Sequence, residues 1–278
     1  MLQLKGKPVA EQIYSKIKTR LQDGLKAPHL AVVLVGDDPA SQVYVSHKQK
    51  ACAELGFKST MIRLPDATTA EQLKKQILDL NQNPEVHGIL LQLPLPSRLE
   101  PKSMTDLISP EKDADGLTTT SLGLLAGSRQ KTASCTPSGI IEMLKHYKID
   151  VSGKNVLVIG RSLIVGLPLF HLLNQKNATV TLAHSKTSDL KQMVKNFDFV
   201  FVAVGKPHFL KASDFKKNAV VIDIGIHRTE AGLVGDVDPT GAEGHLDALS
   251  PVPGGVGPTT IAMLMQNTFH LAHPEVSF

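Results

Sequence analysis

Asn155-Val156-Leu157-Val158-Ile159-Gly160-Arg161-Ser162-Leu163-Ile164-Val165-Gly166-Leu167-Pro168 decides the fold of this chain. An apolar, largely β-branched run ends on Gly160 and passes through a turn into a segment of helical character. A helix N-terminus placed there can hold a pyrophosphate on its free N–H groups. The turn departs from the G-x-G-x-x-G dinucleotide pattern: Ser162 stands at the second glycine, and Gly166 closes the motif one place late. By itself the stretch reads equally well as an ordinary strand–helix connection.

Working outward removes that ambiguity. Downstream, short β-rich runs at 179–183, 199–204 and 220–224 alternate with helical segments, the pattern of a doubly wound parallel sheet. Upstream, a helix from about residue 138 leads into the quoted strand, and before it the same alternation appears again. Val9, Ile13, Ile17, Leu21 and Leu25 recur every four residues on an opening helix. Residues 30–35 form a buried strand ending at Gly36, and a helix runs from the Asp37-Asp38-Pro39 turn to Gly56. A strand at 60–64, a helix opened by a Thr68-Thr69-Ala70-Glu71 capping box, and a strand at 88–93 ended by Pro94 and Pro96 follow. Residues 112–137 are polar and weakly periodic, as in a functional loop or interdomain connection. The expected fold is α/β with two domains and an active-site cleft between them. An N-terminal catalytic domain (1–137, completed by a last helix at 259–278) is joined to a Rossmann-like nucleotide-binding domain (138–258).

Composition narrows the function. In 278 residues, 42% hydrophobic and 20% charged, there is enough apolar material for two cores and too little charge for a disordered chain. No stretch approaches the roughly 18 apolar residues of a membrane helix, and Met1 to Lys7 lacks a secretory run, so a cytoplasmic location is expected. The two cysteines, Cys52 and Cys135, provide neither a disulfide framework nor a zinc ligand set, and no metal is expected. With 30 basic against 26 acidic residues, and basic runs no longer than pairs, nucleic acid is not an expected partner; small anions remain open.

The end of the strand after the glycine turn discriminates between cofactors. An NAD site places an acidic residue there for the ribose 2′-hydroxyl, whereas a 2′-phosphate needs positive charge and donors. This chain has His184-Ser185-Lys186-Thr187, with Arg161 in the preceding turn, which favours NADP. In the first domain, Tyr44 and Lys48 lie four apart on one helix face. A lysine in a desolvated pocket exchanges protons near neutral pH, although a helical lysine taken alone is more often solvated. Gln92 is the one polar residue at the carboxyl end of an apolar strand, a place for ligand contacts or for a core amide. Lys112-Asp113-Ala114-Asp115-Gly116 is an acidic turn open to either reading.

Seven collinear segments extend these observations along nearly the whole chain: Ser41 to Lys48, Gln92 to Pro96, Lys112 to Gly116, Cys135 to Gly139, Gly160-Arg161-Ser162 with Val165-Gly166, His184-Ser185, and Pro251 to Pro258. Together they resemble the bifunctional methylenetetrahydrofolate dehydrogenase/methenyltetrahydrofolate cyclohydrolases. The resemblance implies that Lys48 is the catalytic lysine assisted by Gln92, and that Tyr44 and Asp115 hold the folate. It further implies folate contacts from Pro253, Gly254 and Gly255, and a cofactor site made of Gly160, Arg161, Ser162, His184, Ser185 and Ile226. A homodimer is also implied. Ala114 replaces the usual Val of the acidic motif, Ser121 an Asn, and Thr259 the Met of Pro-Met-Thr; none of these touches the four catalytic candidates.

The implied chemistry suits the residue types. Hydride transfer from the folate's bridging carbon needs two rings held face to face. Hydration of the resulting cation needs a group that takes a proton from water and returns one to nitrogen, which a neutral Lys48 can do. Another two-domain NADP dehydrogenase would leave Tyr44, Gln92 and Asp115 unexplained, and a nucleotide-binding scaffold without catalysis would leave Lys48 unexplained.

Overall fold

A computed structural model describes residues 1–230 and 232–276, and only the backbone of Ala40. The chain falls into two units: Met1–Glu11 with Thr136–Thr260, and Gln12–Cys135 with the residues from Ile261 onward.

The unit built on Gln12–Cys135 holds a three-stranded parallel sheet with His29–Val35 at its centre, between Lys58–Leu64 and Gly88–Leu91. On the central strand Ala31, Val33 and Val35 face a core shared with Leu73, Ile77, Ile89 and Leu91. Leu30, Val32 and Leu34, on the opposite face, are equally buried. Burial on both faces is why this strand reads as an unbroken apolar run. The helices Pro39–Leu55 and Ala70–Gln82 make the crossovers that parallel pairing requires.

The other unit carries a six-stranded parallel sheet, in the spatial order Leu2–Gln3, Ala248–Leu249, Val220–Asp223, Phe199–Val202, Asn155–Ile159, Thr179–Ala183. From Asn155–Ile159 the chain moves first to one side and then to the other, so the strand order reverses between Asn155–Ile159 and Phe199–Val202. Ligands of such sheets bind at that switch point, outside the carboxyl ends of the strands.

Several local expectations are corrected. The opening helix is Gly6–Gln22, so Leu25 lies beyond it, and Gly24 adopts φ 92° where the chain turns away. The capping box sits one residue later than read. Thr69 accepts from the Gln72 N–H at 3.2 Å, and Gln72 Oε1 accepts from the Thr69 N–H at 2.9 Å, while Thr68 donates to the Pro65 carbonyl. Residues 112–137 contain a helix, Thr119–Ala126, capped by Thr118. Met1–Glu11 group with the six-stranded sheet rather than with the N-terminal domain, because Leu2–Gln3 pair with Ala248–Leu249. The last helix begins at Val256, earlier than expected.

Candidate active site

Asp38 starts the helix Pro39–Leu55 by accepting from the Ser41 N–H at 2.7 Å, and Gly56, at φ 71°, ends it. Val45 and Cys52 are buried on its inner face, which sets the helix rotation and leaves Tyr44 and Lys48 half-buried one turn apart. The Gln92 N–H donates to the Val33 carbonyl at 2.9 Å, extending the ladder past the strand and placing its side chain at the sheet's carboxyl end. Gln92 Nε2 is committed to the Leu93 carbonyl at 2.6 Å. Its Oε1 therefore faces the lysine and accepts from Lys48 Nζ at 2.9 Å.

Asp115 joins the same neighbourhood through a tightly held loop. Asp113 accepts from the Thr118 N–H at 2.8 Å, and Asn267 Nδ2 on the last helix donates to the carbonyls of Ala114 at 2.9 Å and Ala133 at 3.0 Å. Gly116 has φ 65°, and a Cβ there would lie 2.5 Å from the Ala133 carbonyl carbon, so this turn admits only glycine. The Asp115 carboxyl is hydrogen bonded by Cys135 and interacts with the charge of Lys48.

Burial dominates the electrostatics. It lowers the pKa of Lys48 despite the opposing pull of Asp115, and raises that of Asp115 despite Lys48. Lys48 keeps some accessible surface, yet its amine is enclosed enough for this effect. Burial, followed by the Asp115 charge, also holds the Cys135 thiol well above its usual range, so Cys135 acts as a hydrogen-bonding thiol and not as a nucleophile. Burial likewise raises Tyr44 and keeps its phenol protonated. Burial thus favours the neutral amine that proton transfer at the Lys48 position needs, and the Asp115 charge opposes that shift.

The remaining candidates lie in the other unit. Gly160 adopts φ 121°, and a Cβ on it would lie 2.1 Å from the Ala203 carbonyl oxygen, so the turn closes only with glycine. Ser162 Oγ accepts from the N–H groups of Val165 and Gly166, at 3.2 and 3.4 Å, at the start of the helix Gly166–Gln175. The Ser162 hydroxyl thus satisfies two N–H groups that enter the helix, a role a glycine there could not fill. The His184 N–H donates to Thr187 Oγ1 at 2.9 Å and His184 Nδ1 accepts from the Lys186 N–H, forming a compact turn with Ser185 exposed. Arg161 is exposed, and Ile226 is a large apolar side chain 46% accessible. Pro253 and Gly254 are exposed, Gly255 is buried, and the Gly254 carbonyl accepts from the Gly6 N–H at 2.9 Å.

Two buried carboxylates at the strand ends escaped the sequence reading. Asp236, fully buried, accepts from the backbone N–H groups of Val204, Gly205 and Lys206 at 2.7, 3.1 and 2.9 Å, and bonds His227 Nε2 at 2.7 Å. Asp223 accepts from the N–H groups of Gly225, Asp236 and Val237. Burial raises its pKa to about 6 against these three donors. Their signal in the sequence is Asp within two residues of a Gly at a strand end, in Asp223-Ile224-Gly225 and Gly235-Asp236. A Cβ on Gly235 would come within 1.8 Å of Asp223 Oδ2. Gly235→Ala is therefore expected to destabilise the protein by about 1–3 kcal/mol, the usual cost of forcing an extra methyl into a packed site. The midpoint of denaturant unfolding measures this, and an unchanged midpoint would refute the close packing.

Among the described residues no group of three or more His, Cys, Asp or Glu could hold a metal ion, and no helix is long and apolar enough to cross a membrane.

Residues 4–115 match the model of the tetrahydrofolate dehydrogenase/cyclohydrolase catalytic domain, and residues 134–276 that of the corresponding NAD(P)-binding domain. The chain is 48% identical to the bifunctional protein FolD of Bdellovibrio bacteriovorus, covering 98% of this chain and 96% of that one. It superposes with a TM-score of 0.94 on the crystal structure of the bifunctional FolD dehydrogenase/cyclohydrolase of Campylobacter jejuni, at 40% identity over 99% and 100% of the two chains. The Trypanosoma brucei enzyme, complexed with NADP cofactor and inhibitor, gives 0.92 at 34% identity over 100% and 99%. With both halves matched in order and relatives this similar over their full length, the chain belongs to the tetrahydrofolate dehydrogenase/cyclohydrolase family.

Proposed function

We propose that the protein oxidises 5,10-methylenetetrahydrofolate with NADP and hydrolyses the resulting 5,10-methenyltetrahydrofolate to 10-formyltetrahydrofolate. The observation that carries this reading is the Lys48 amine on the Gln92 amide, with Asp115 beside it in the same unit. Folate catalysis is assigned to the Gln12–Cys135 unit and NADP binding to the Thr136–Thr260 unit. Tyr44 supplies an aromatic face for the pterin, and Asp115 accepts from its amino and ring N–H groups. Pro253, Gly254 and Gly255 offer a close approach of backbone to the substrate. When water attacks the bridging carbon, Lys48 takes its proton and later returns one to the departing nitrogen, while Gln92 keeps the amine aimed. A cytoplasmic homodimer is part of the same reading.

NADP supplies the hydride acceptor when bound. The residues present fit it: the glycine turn at Gly160 closes tightly on Ala203, and the next strand ends in His184-Ser185-Lys186 without a carboxylate. Arg161 is placed to meet a 2′-phosphate and Ser185 to donate to it. Arg161→Ala is expected to lower kcat/KM for NADP by on the order of tenfold or more, the loss of a charge-assisted hydrogen bond, and to leave NAD nearly untouched. A steady-state comparison of the two cofactors measures this, and equal losses would remove Arg161 from phosphate recognition. The parent reading is tested by absorbance. Purified protein with methylenetetrahydrofolate and NADP should form NADPH, and with methenyltetrahydrofolate alone should consume it. Absence of both activities overturns the assignment.

A further inference from the structure

We infer that Asp236 is a positioning residue for the cofactor, its carboxylate joining the 204–206 backbone turn to the side chain of His227 at the nucleotide site. The inference rests on the NADP-binding role proposed for this unit. Asp236 is fully buried, and both of its oxygens are used. Oδ2 accepts from the Val204 and Gly205 N–H groups, and Oδ1 from the Lys206 N–H and from His227 Nε2.

Three successive N–H groups converging on one anion form a nest, which holds the 204–206 turn rigidly just past the end of Phe199–Val202. Gly205 adopts φ 70°, as such a turn requires. The residue before the nest, Ala203, is the one whose carbonyl packs against Gly160 at the switch point, so the nest fixes the neighbour of the glycine turn. Through His227 the same carboxylate holds the residue next to Ile226, whose exposed side chain stands beyond the end of Val220–Asp223. Gly225 packs directly against the carboxylate: a Cβ on it would lie 2.4 Å from Asp236 Cγ. Asp223 fixes Asp236 in turn by accepting its backbone N–H at 3.0 Å. Asp236 itself, at 0% exposure, acts on the cofactor only through these segments.

The test uses Asp236→Asn and, as the milder change, His227→Ala. An asparagine keeps the size but replaces one acceptor oxygen by a donor among N–H groups, and the alanine removes one of the four bonds. Positioning predicts that KM for NADP rises about tenfold or more in Asp236→Asn, and severalfold in His227→Ala. KM for methylenetetrahydrofolate and the rate of methenyltetrahydrofolate hydrolysis, which uses no NADP, should stay within about twofold. If KM for NADP is unchanged in folded variants, the inference is wrong. If hydrolysis falls in step with NADP reduction, the network serves only to hold the fold, and the inference is equally wrong. Should Asp236→Asn fail to fold, His227→Ala decides by the same criteria. A wild-type protein without NADP-linked activity would instead overturn the parent reading.

Discussion

Replacing Lys48 with Met is expected to lower methenyltetrahydrofolate hydrolysis by about 10²–10⁴-fold, the usual contribution of a general acid–base group. Methionine keeps most of the side chain's length and its apolar stem, so the half-buried site stays filled. Hydride transfer passes no proton through a protein group, so the dehydrogenase step should decline far less, and methenyltetrahydrofolate should accumulate as a product. The pH dependence follows from the direction of the shift. Only the neutral amine can accept a proton, and burial brings the Lys48 pKa below its usual 10.5. Hydrolysis should therefore rise with pH along a limb centred below 10.5, and that limb should be missing from the Met variant. A variant that hydrolyses the methenyl compound at near the parent rate would make Lys48 an ordinary helix lysine.

Asp115→Ala is expected to reduce kcat/KM for both reactions by at least about 100-fold. Two hydrogen bonds to a charged group, at roughly 1.5–3 kcal/mol each, are lost from the pterin that both steps share. A second consequence separates this residue from a purely structural one. Asp115 is the negative charge that holds the Lys48 pKa up against burial, so its removal should move the residual hydrolysis limb to lower pH. Titration of folate binding together with pH–rate profiles measures both effects. Unchanged folate affinity would refute the contact, and an unmoved limb would refute the coupling to Lys48.

The strands were legible because parallel strands covered on both faces leave unbroken apolar runs, as in His29–Val35 and Asn155–Ile159. Leu2–Gln3 was not, because two residues carry no period and their partner lies at Ala248–Leu249. The helix Thr119–Ala126 was hidden by its short length and its start in a run of threonines, which suggests a loop until Thr118 is seen to cap it. Among the candidate site residues, Lys48 and Gln92 could be named because helix spacing and strand position each leave a local mark. Asn267 and Asp236 could not, since what they do depends on carbonyls and N–H groups far along the chain. Cys135 was visible only as part of a motif; its bond to Asp115 is a product of the tertiary fold.

The pairing of Leu2–Gln3 with Ala248–Leu249 also ties the order of synthesis to the order of assembly. At roughly 5–20 residues per second, an interval on the order of tens of seconds separates the emergence of Leu2 from that of its partner. Throughout it the N–H groups of Leu2 and Leu4 wait for the carbonyls of Asp247 and Leu249, while the Ala114 carbonyl waits for Asn267. Each unit thus waits for a partner made late, Ala248–Leu249 in one and Asn267 in the other. A nascent chain stalled before Ala248 would carry unfinished partners in each, and would be open to chaperones and proteases for as long as the stall lasts.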